Sequence, residues 1–240
     1  MQVLRRRLWW EYFRLDGCSK RLPRVTDAFT KSESWALQKH TLNIDMNRMR
    51  NQGFDMKDCN VYRTIVRYAH YLPSFGYTQG YLYLLWAVMQ VFEQESDVFW
   101  AFVRMCDMVN VYGPTGPRLL FRRSTLPGWV MQPLLVHVPQ LDKQWLEMAI
   151  TLRWMFTMWG QVFENKDHWC VCLDYVLKGT KQMLCLSAAM LEEFYLIAEK
   201  RADPMEQLQL VFQIQIQSEE QIATIIARAE NDYSAHRDSA

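Results

Sequence analysis

Along most of this 240-residue chain, apolar residues recur three and four positions apart, and nowhere do they keep up the alternation of a half-buried strand. No Asn-Gly or Asp-Gly hairpin stands between apolar runs. A chain patterned this way buries its apolar surface helix against helix, so the expectation is an all-α fold of many helices of ordinary length. Residues 3–15 open it, with Leu4, Leu8, Trp9, Tyr12 and Phe13 at helical spacing and Gly17 as the stop. Residues 22–25 contain Pro23 and read as loop. Residues 26–45 read as helical in patches, with Trp35 and Leu37 facing inward. A polar loop is expected over 51–59, directly after Arg48. Asn60 then reads as the N-cap of a helix burying Val61, Ile65, Tyr68 and Ala69. Pro73 and Gly76 mark a turn, Gln79 opens a helix through 92, and Ser96 caps another over 97–111.

Pro114, Gly116, Pro117, Pro127 and Gly128 crowd the next segment, the expected waist of a single domain over 1–230. It divides an N-terminal half, about 1–112, from a C-terminal half, about 118–230. Helices resume near Met131, over 141–150 and over 151–163. Asp167 reads as the cap of 169–177, which Gly179 closes, and a long helix follows over 182–200. Asp203-Pro204-Met205-Glu206 and Ser218-Glu219-Glu220-Gln221 carry N-cap patterns, the second opening a last helix to about 229. Residues 231–240 read as a polar tail that frays.

Composition removes several function classes. Half the residues are hydrophobic, enough for a sizeable core. Lys plus Arg number 27 against 26 for Asp plus Glu, so no general electrostatic pull on nucleic acid is expected, and Arg5-Arg6-Arg7 is too short to supply one. Six Cys with no secretory leader do not read as a disulfide framework. Cys170 and Cys172, beside His168, lack zinc-ligand spacing and point apart on a helix, so buried thiols are expected there and no metal. The most apolar run, 81–92, is interrupted by Gln90 and falls short of the roughly 20 residues of a membrane span, so no transmembrane segment is expected. A soluble protein of a reducing, cytoplasmic compartment is therefore expected. The helical pattern starts almost at residue 1, so no targeting module is expected ahead of it.

Two short stretches carry the chemistry. Leu42-Asn43-Ile44-Asp45-Met46-Asn47-Arg48 sets an Asp and an Arg three positions apart behind an apolar anchor. Tyr77-Thr78-Gln79-Gly80 sets a carboxamide between an aromatic and a glycine, just ahead of the apolar run. Taken by themselves, Asp45 and Arg48 read as an ordinary i, i+3 surface pair, Gln79 as a helix-start residue and Tyr77 as packing. Arg5 and Trp9 share one face of the first helix and read as structural: the indole anchors, and the guanidinium bonds a neighbour. Asp174, isolated in an apolar helix, reads as a buried polar tie.

In this order the three stretches resemble the motifs of the TBC domain family of Rab GTPase-activating proteins: an Arg-x-x-x-Trp opening (Arg5, Trp9), an Ile-x-x-Asp-x-x-Arg motif and a Tyr-x-Gln motif. The likeness extends through Phe99-Trp100-Ala101-Phe102 and Leu173-Asp174 with Gly179, from residue 4 to about 215. It implies a multi-helix fold with two helical subdomains. It also implies that the protein is no enzyme in its own right and completes the active site of a Rab GTPase. GTP hydrolysis on a small GTPase is slow until an arginine supplied in trans neutralises charge on the transferring phosphoryl group, worth about 10³–10⁵ in rate. The resemblance assigns Arg48 as that arginine finger and Gln79 as a glutamine finger orienting the attacking water. Asp45 would hold the local turn or orient the guanidinium, Tyr77 would pack beside Gln79, and Gly80 would let the backbone come close. No cofactor of its own is implied; GTP and Mg²⁺ would come with the partner, a Rab in its GTP form engaged in vesicle trafficking, and an adaptor could bring the protein to endomembranes. The family commonly has Pro before the motif Arg and Thr after it, where this chain has Asn47 and Met49. Those departures bear on activity through the segment holding Arg48, and leave open a silent TBC module that binds a Rab or adaptor as an effector or scaffold. A third reading, an unrelated helical interaction domain, would leave Arg48 and Gln79 far apart.

Overall fold

The computed structural model describes residues 2–18, 21–73, 76–110, 129–130, 132, 157–163, 165–198, 216 and 218–235. Among them the fold is all-α, with a single isolated β-bridge between Phe163 and Ile216. The chain forms two compact units, Met1–Phe121 and Arg122–Ala240. The proline-rich segment expected as a waist, the helices expected over 141–150 and the cap at Asp203 lie outside the described residues.

In the first unit, α1 (Gln2–Phe13) buries Trp9 and Phe13 on the core side. It ends when Arg14 takes a left-handed conformation (φ 51°), and a 3₁₀ turn, Leu15–Gly17, follows before Gly17 can act as the stop. Leu4, expected to pack, is 64% exposed. Thr26 and Ser32 then cap two helices, α2 (Asp27–Thr30) and α3 (Glu33–Asn51), each hydroxyl accepting from the backbone N–H three residues on. These caps divide a stretch whose helical pattern was patchy. Trp35 faces in as expected, but Leu37 faces out. α3 also runs past Asp45 to Asn51, so Arg48 stands in its last turn and the loop shrinks to 52–57.

Helix α4 (Asp58–Tyr71) begins two residues before the expected cap at Asn60, and buries Val61, Ile65, Tyr68 and Ala69 as their spacing requires. α5 (Tyr81–Met89) is apolar on every side, and all of Tyr81 to Val88 is buried. It begins at Tyr81, so Gln79 belongs to the turn ahead of it. α6 (Glu95–Asn110) packs on α5, α4 and α1, starting one residue before the expected cap at Ser96. Tyr68, Tyr81 and Phe102 meet edge to face with centroids 5.1–6.1 Å apart, locking α4, α5 and α6 together.

In the second unit, the described part of the helix expected over 151–163 is a turn: Met158 and Trp159 have φ of 45° and 60°, which no α-helix tolerates. The Met158 carbonyl, thus freed, accepts from the buried Trp169 indole N–H at 2.7 Å. Asn165, not Asp167, caps α7 (Lys166–Val176) by accepting from the Asp167 N–H at 2.8 Å. α8 (Thr180–Ala198) and α9 (Glu219–Ala235) pack on α7 and on each other. Ser218 and Gln221 form the reciprocal capping box that the sequence announces, and α9 continues through Asn231 to Ala235, beyond the expected fraying point. Asp174 is half-buried and engaged with neighbouring groups. Cys170 and Cys172 are buried in α7, and burial beside Asp174 pushes the Cys172 thiol up to about 12, keeping it protonated as a packing group.

The register of α1 gives a direct test. Trp9→Ala, at a fully buried indole, is expected to destabilise the protein by about 3–5 kcal/mol in denaturant unfolding. Leu4→Ser, on the exposed face, is expected to change stability by less than about 0.5 kcal/mol.

Candidate functional site

The candidate site is built where the last turns of α3 meet the turn 76–80. Asp45 is at its centre. Its side chain is almost wholly buried, and three donors converge on its carboxylate. Arg48, one turn further along α3, donates from Nη1 to Oδ1 at 3.2 Å. The buried Tyr77 hydroxyl donates to Oδ2 at 2.7 Å. The Gly80 backbone N–H provides the third bond. Burial pushes the Asp45 carboxyl above the ordinary aspartate range, while Tyr77, the charge and hydrogen bond of Arg48, and Gly80 pull it back down. The same proximity, with burial leading, drives the Tyr77 phenol well above its ordinary value, so it stays a protonated donor.

The turn is anchored to α3 a second time. Gln38, two turns before Asp45 on the same flank, accepts from the Tyr77 backbone N–H through Oε1 at 2.7 Å. That bond needs Gly76: a Cβ there would stand 2.9 Å from the Gln38 Oε1. Gly80 has φ 98°, a conformation that strains any other residue, and so redirects the chain from the turn into α5. Phe54 follows the end of α3 and stacks edge to face on Tyr83 and Trp86 of α5, at 5.2 Å each. Tyr83 in turn donates to the Gln52 side-chain oxygen. The segment just after α3 is therefore fastened to α5 at two points, Gln52 and Phe54.

The side chains not consumed by this framework are informative. The Arg48 side chain is 57% exposed despite its bond to Asp45, and Gln79 is exposed. Asn47 is exposed and accepts from Arg50 at 3.0 Å, and Arg50 also pairs with Asp58. Met49 is buried in the core. Asp45, Arg48, Tyr77 and Gly80 are thus brought together, and Gln79 lies between two residues bonded to the same carboxylate. Arg5 and Trp9 are not part of this constellation; Trp9 is fully buried, and Arg5 is half-buried and engaged with neighbouring groups. Gln38, Gln52 and Gly76 are positioning residues with no local sequence signal, since Gln38 and Tyr77 are 39 positions apart. Among the described residues no three His, Cys, Asp or Glu side chains gather as a metal site, and no helix is long and apolar enough to cross a membrane.

Comparison with known proteins adds the family. Residues 2–197 match the Rab-GTPase-TBC domain, which covers the first unit and the second as far as residue 197. The human protein TBC1 domain family member 16 is 27% identical over an alignment of 153 residues, covering 60% of this chain and 20% of that protein. The chain thus spans only a fraction of the length of that relative. A match over four-fifths of the chain, with the motif residues of α3 and the turn 76–80 converging on one carboxylate, places this protein in the TBC domain family, whose members are generally GTPase activators for Rab proteins.

Proposed function

We propose that the protein accelerates GTP hydrolysis on a Rab-type small GTPase in its GTP form, with Arg48 as an arginine finger and Gln79 as a glutamine finger. The observation that carries this reading is the shared Asp45 carboxylate. It bonds a terminal nitrogen of an exposed guanidinium and residues on either side of an exposed carboxamide, which supports reading the two groups as a pair. A planar, permanently charged fork can bond two phosphoryl oxygens at once, and a carboxamide can both donate to and accept from a water. GTP and Mg²⁺ belong to the partner; this chain supplies charge and orientation, the two contributions that phosphoryl transfer responds to most. Rabs in the GTP form sit on endomembranes, so the site of action is the cytoplasmic face, reached with or without an adaptor.

Asn47 and Met49 are compatible with this role. A proline ahead of the arginine would stiffen a loop. Here Arg48 stands in the ordered last turn of α3, where a proline would remove a helical N–H, and the helix itself supplies the stiffness. Met49 is a core residue, and Asn47 is occupied with Arg50; neither competes for the guanidinium.

Single-turnover hydrolysis across a panel of GTP-loaded Rabs tests the reading. At least one Rab is expected to be accelerated by orders of magnitude. Arg48→Ala is expected to remove about 10³-fold or more of that, and Arg48→Lys to restore little. Gln79→Ala is expected to cost about 10²-fold, the scale of losing one aimed hydrogen-bonding group. Binding of GTP-form Rab with no acceleration would make the protein a silent scaffold instead.

Tyr77→Phe tests Asp45 as the positioning residue. A carboxyl whose folded pKa is raised contributes stability below its unfolded pKa and loses it as pH rises through the folded value. Tyr77→Phe deletes the largest of the influences that lower Asp45, so the folded value moves further up. The variant is expected to be about 1–2 kcal/mol less stable than wild type at neutral pH, where Asp45 must ionise with one donor missing. The gap is expected to narrow in acid, where Asp45 is protonated in both proteins. An NMR titration of the Asp45 carboxyl carbon checks the direction.

A further inference from the structure

Helix α3 carries an apolar stripe that its own fold does not use. At about 100° per residue, Leu37, Thr41, Ile44 and Arg48 fall within an arc of about 60°, on the side away from Trp35, Leu42, Met46 and Met49. Leu37 is 67% exposed and Ile44 is 41% exposed, and no charged side chain stands on the stripe between Leu37 and Arg48. Single exposed apolar residues are ordinary. Two of them on one narrow line that ends in the candidate finger are a different matter. Ile44 is one helical turn from Arg48, about 6 Å along the axis, and Leu37 is about 16 Å away. The turn carrying Gln79 lies along the neighbouring flank, held there by Gln38 and Asp45.

We infer that this stripe is the docking strip for the GTP-loaded GTPase, with Ile44 and Leu37 as the apolar contacts that set affinity for one Rab over another. The inference rests on the finger reading above and extends it along the helix. A protein surface that lets Arg48 reach a phosphate must cover Ile44, because one turn of helix is shorter than any protein footprint. The partner is therefore a GTPase with an uncharged apolar patch about 6–16 Å from the entrance to its nucleotide site. Contact between that patch and the stripe removes apolar area from water whether or not the chemical step proceeds, so its energy belongs to binding. Arg48, by contrast, gains its interaction as charge develops on the phosphoryl group.

The test separates the two. Leu37→Ser with Ile44→Ser removes the apolar contacts without adding charge; a carboxylate at position 44 would stand four residues from Arg48 and capture it. The double variant is expected to weaken Kd for the analogue-loaded Rab by about tenfold or more and to raise KM in parallel, with kcat at saturation held within about twofold. Arg48→Ala is expected to do the reverse, lowering kcat far more than it weakens binding. Val3→Ser, at an exposed apolar residue of α1, serves as the control and is expected to leave Kd unchanged. If the double variant binds like wild type while Arg48→Ala still abolishes acceleration, the stripe inference is overturned and the finger reading stands. If Arg48→Ala costs nothing, or no Rab binds at all, the finger reading has failed and the stripe falls with it. If sedimentation shows that wild type self-associates and the double variant does not, the stripe belongs to a second copy of this chain, which also overturns the inference.

Discussion

A buried carboxylate governs this structure's local geometry. Asp45 cannot stay charged inside the protein without donors, since an unpaired buried charge costs several kcal/mol. The donors it finds are a guanidinium on its own helix, a phenol and a backbone amide from the turn 76–80. Meeting that requirement forces α3 and the turn together at one spot, and the spot is where the two finger candidates emerge. Asp45, which takes no chemical step in the proposed reading, thus fixes the segments that carry the two proposed fingers. The cost is visible in the raised pKa of Asp45, which shows that the donors offset burial without cancelling it.

A precise site also needs a rigid support, and α5 provides it. A helix apolar on every face has no solvent side, so it can only be central. α6 packs along it, α4 reaches it through the Tyr68 and Tyr81 rings, and the segment after α3 is pinned to it by Phe54. Gly80 is the hinge between this support and the site. Its left-handed backbone lets one residue end the turn, bond Asp45 and open α5. A Gly in that position is a requirement of the path, which is why a Gln-Gly pair heads the apolar run.

Much of this was legible in the sequence, for reasons that differ by feature. Helical periodicity marked α1, α4 and the capping box of α9 because those signals are local: a buried face repeats every turn, and a Ser-x-x-Gln box is complete within four residues. The motif pairing of Asp45 and Arg48 was legible because it too is local. Long-range ties were not. Tyr77 with Asp45, and Gln38 with Tyr77, join positions 32 and 39 apart, and only the folded chain brings them together. Boundaries slipped by a residue or two where two polar residues competed to cap, as Asn165 did with Asp167. Arg48 was expected at the edge of a loop because the polar stretch 51–59, with Gly53, follows it, yet α3 runs on through Asn51. Its end is held by Phe54, a core contact the local pattern does not show. Around Met158 and Trp159 the apolar run reads as helix, but the left-handed backbone there answers to the buried Trp169 indole N–H, again a distant partner.

The misplacement of Leu37 follows from the same limit and carries more meaning. Sequence reading assigns an apolar residue on a helix to the core, because burying it is worth about 1.5–3 kcal/mol. α3 leaves that unspent at Leu37 and in part at Ile44, while two polar groups, Gln38 and Asp45, occupy the flank that meets the turn. A helix optimised for this chain's stability alone would place its apolar residues the other way round. The inverted pattern is coherent if the helix answers to two surfaces, with the polar flank positioning the fingers from within and the apolar stripe left for a surface that arrives with its own nucleotide. Local rules tend to fail at sites shaped by function, and here they fail within a few turns of the proposed arginine finger.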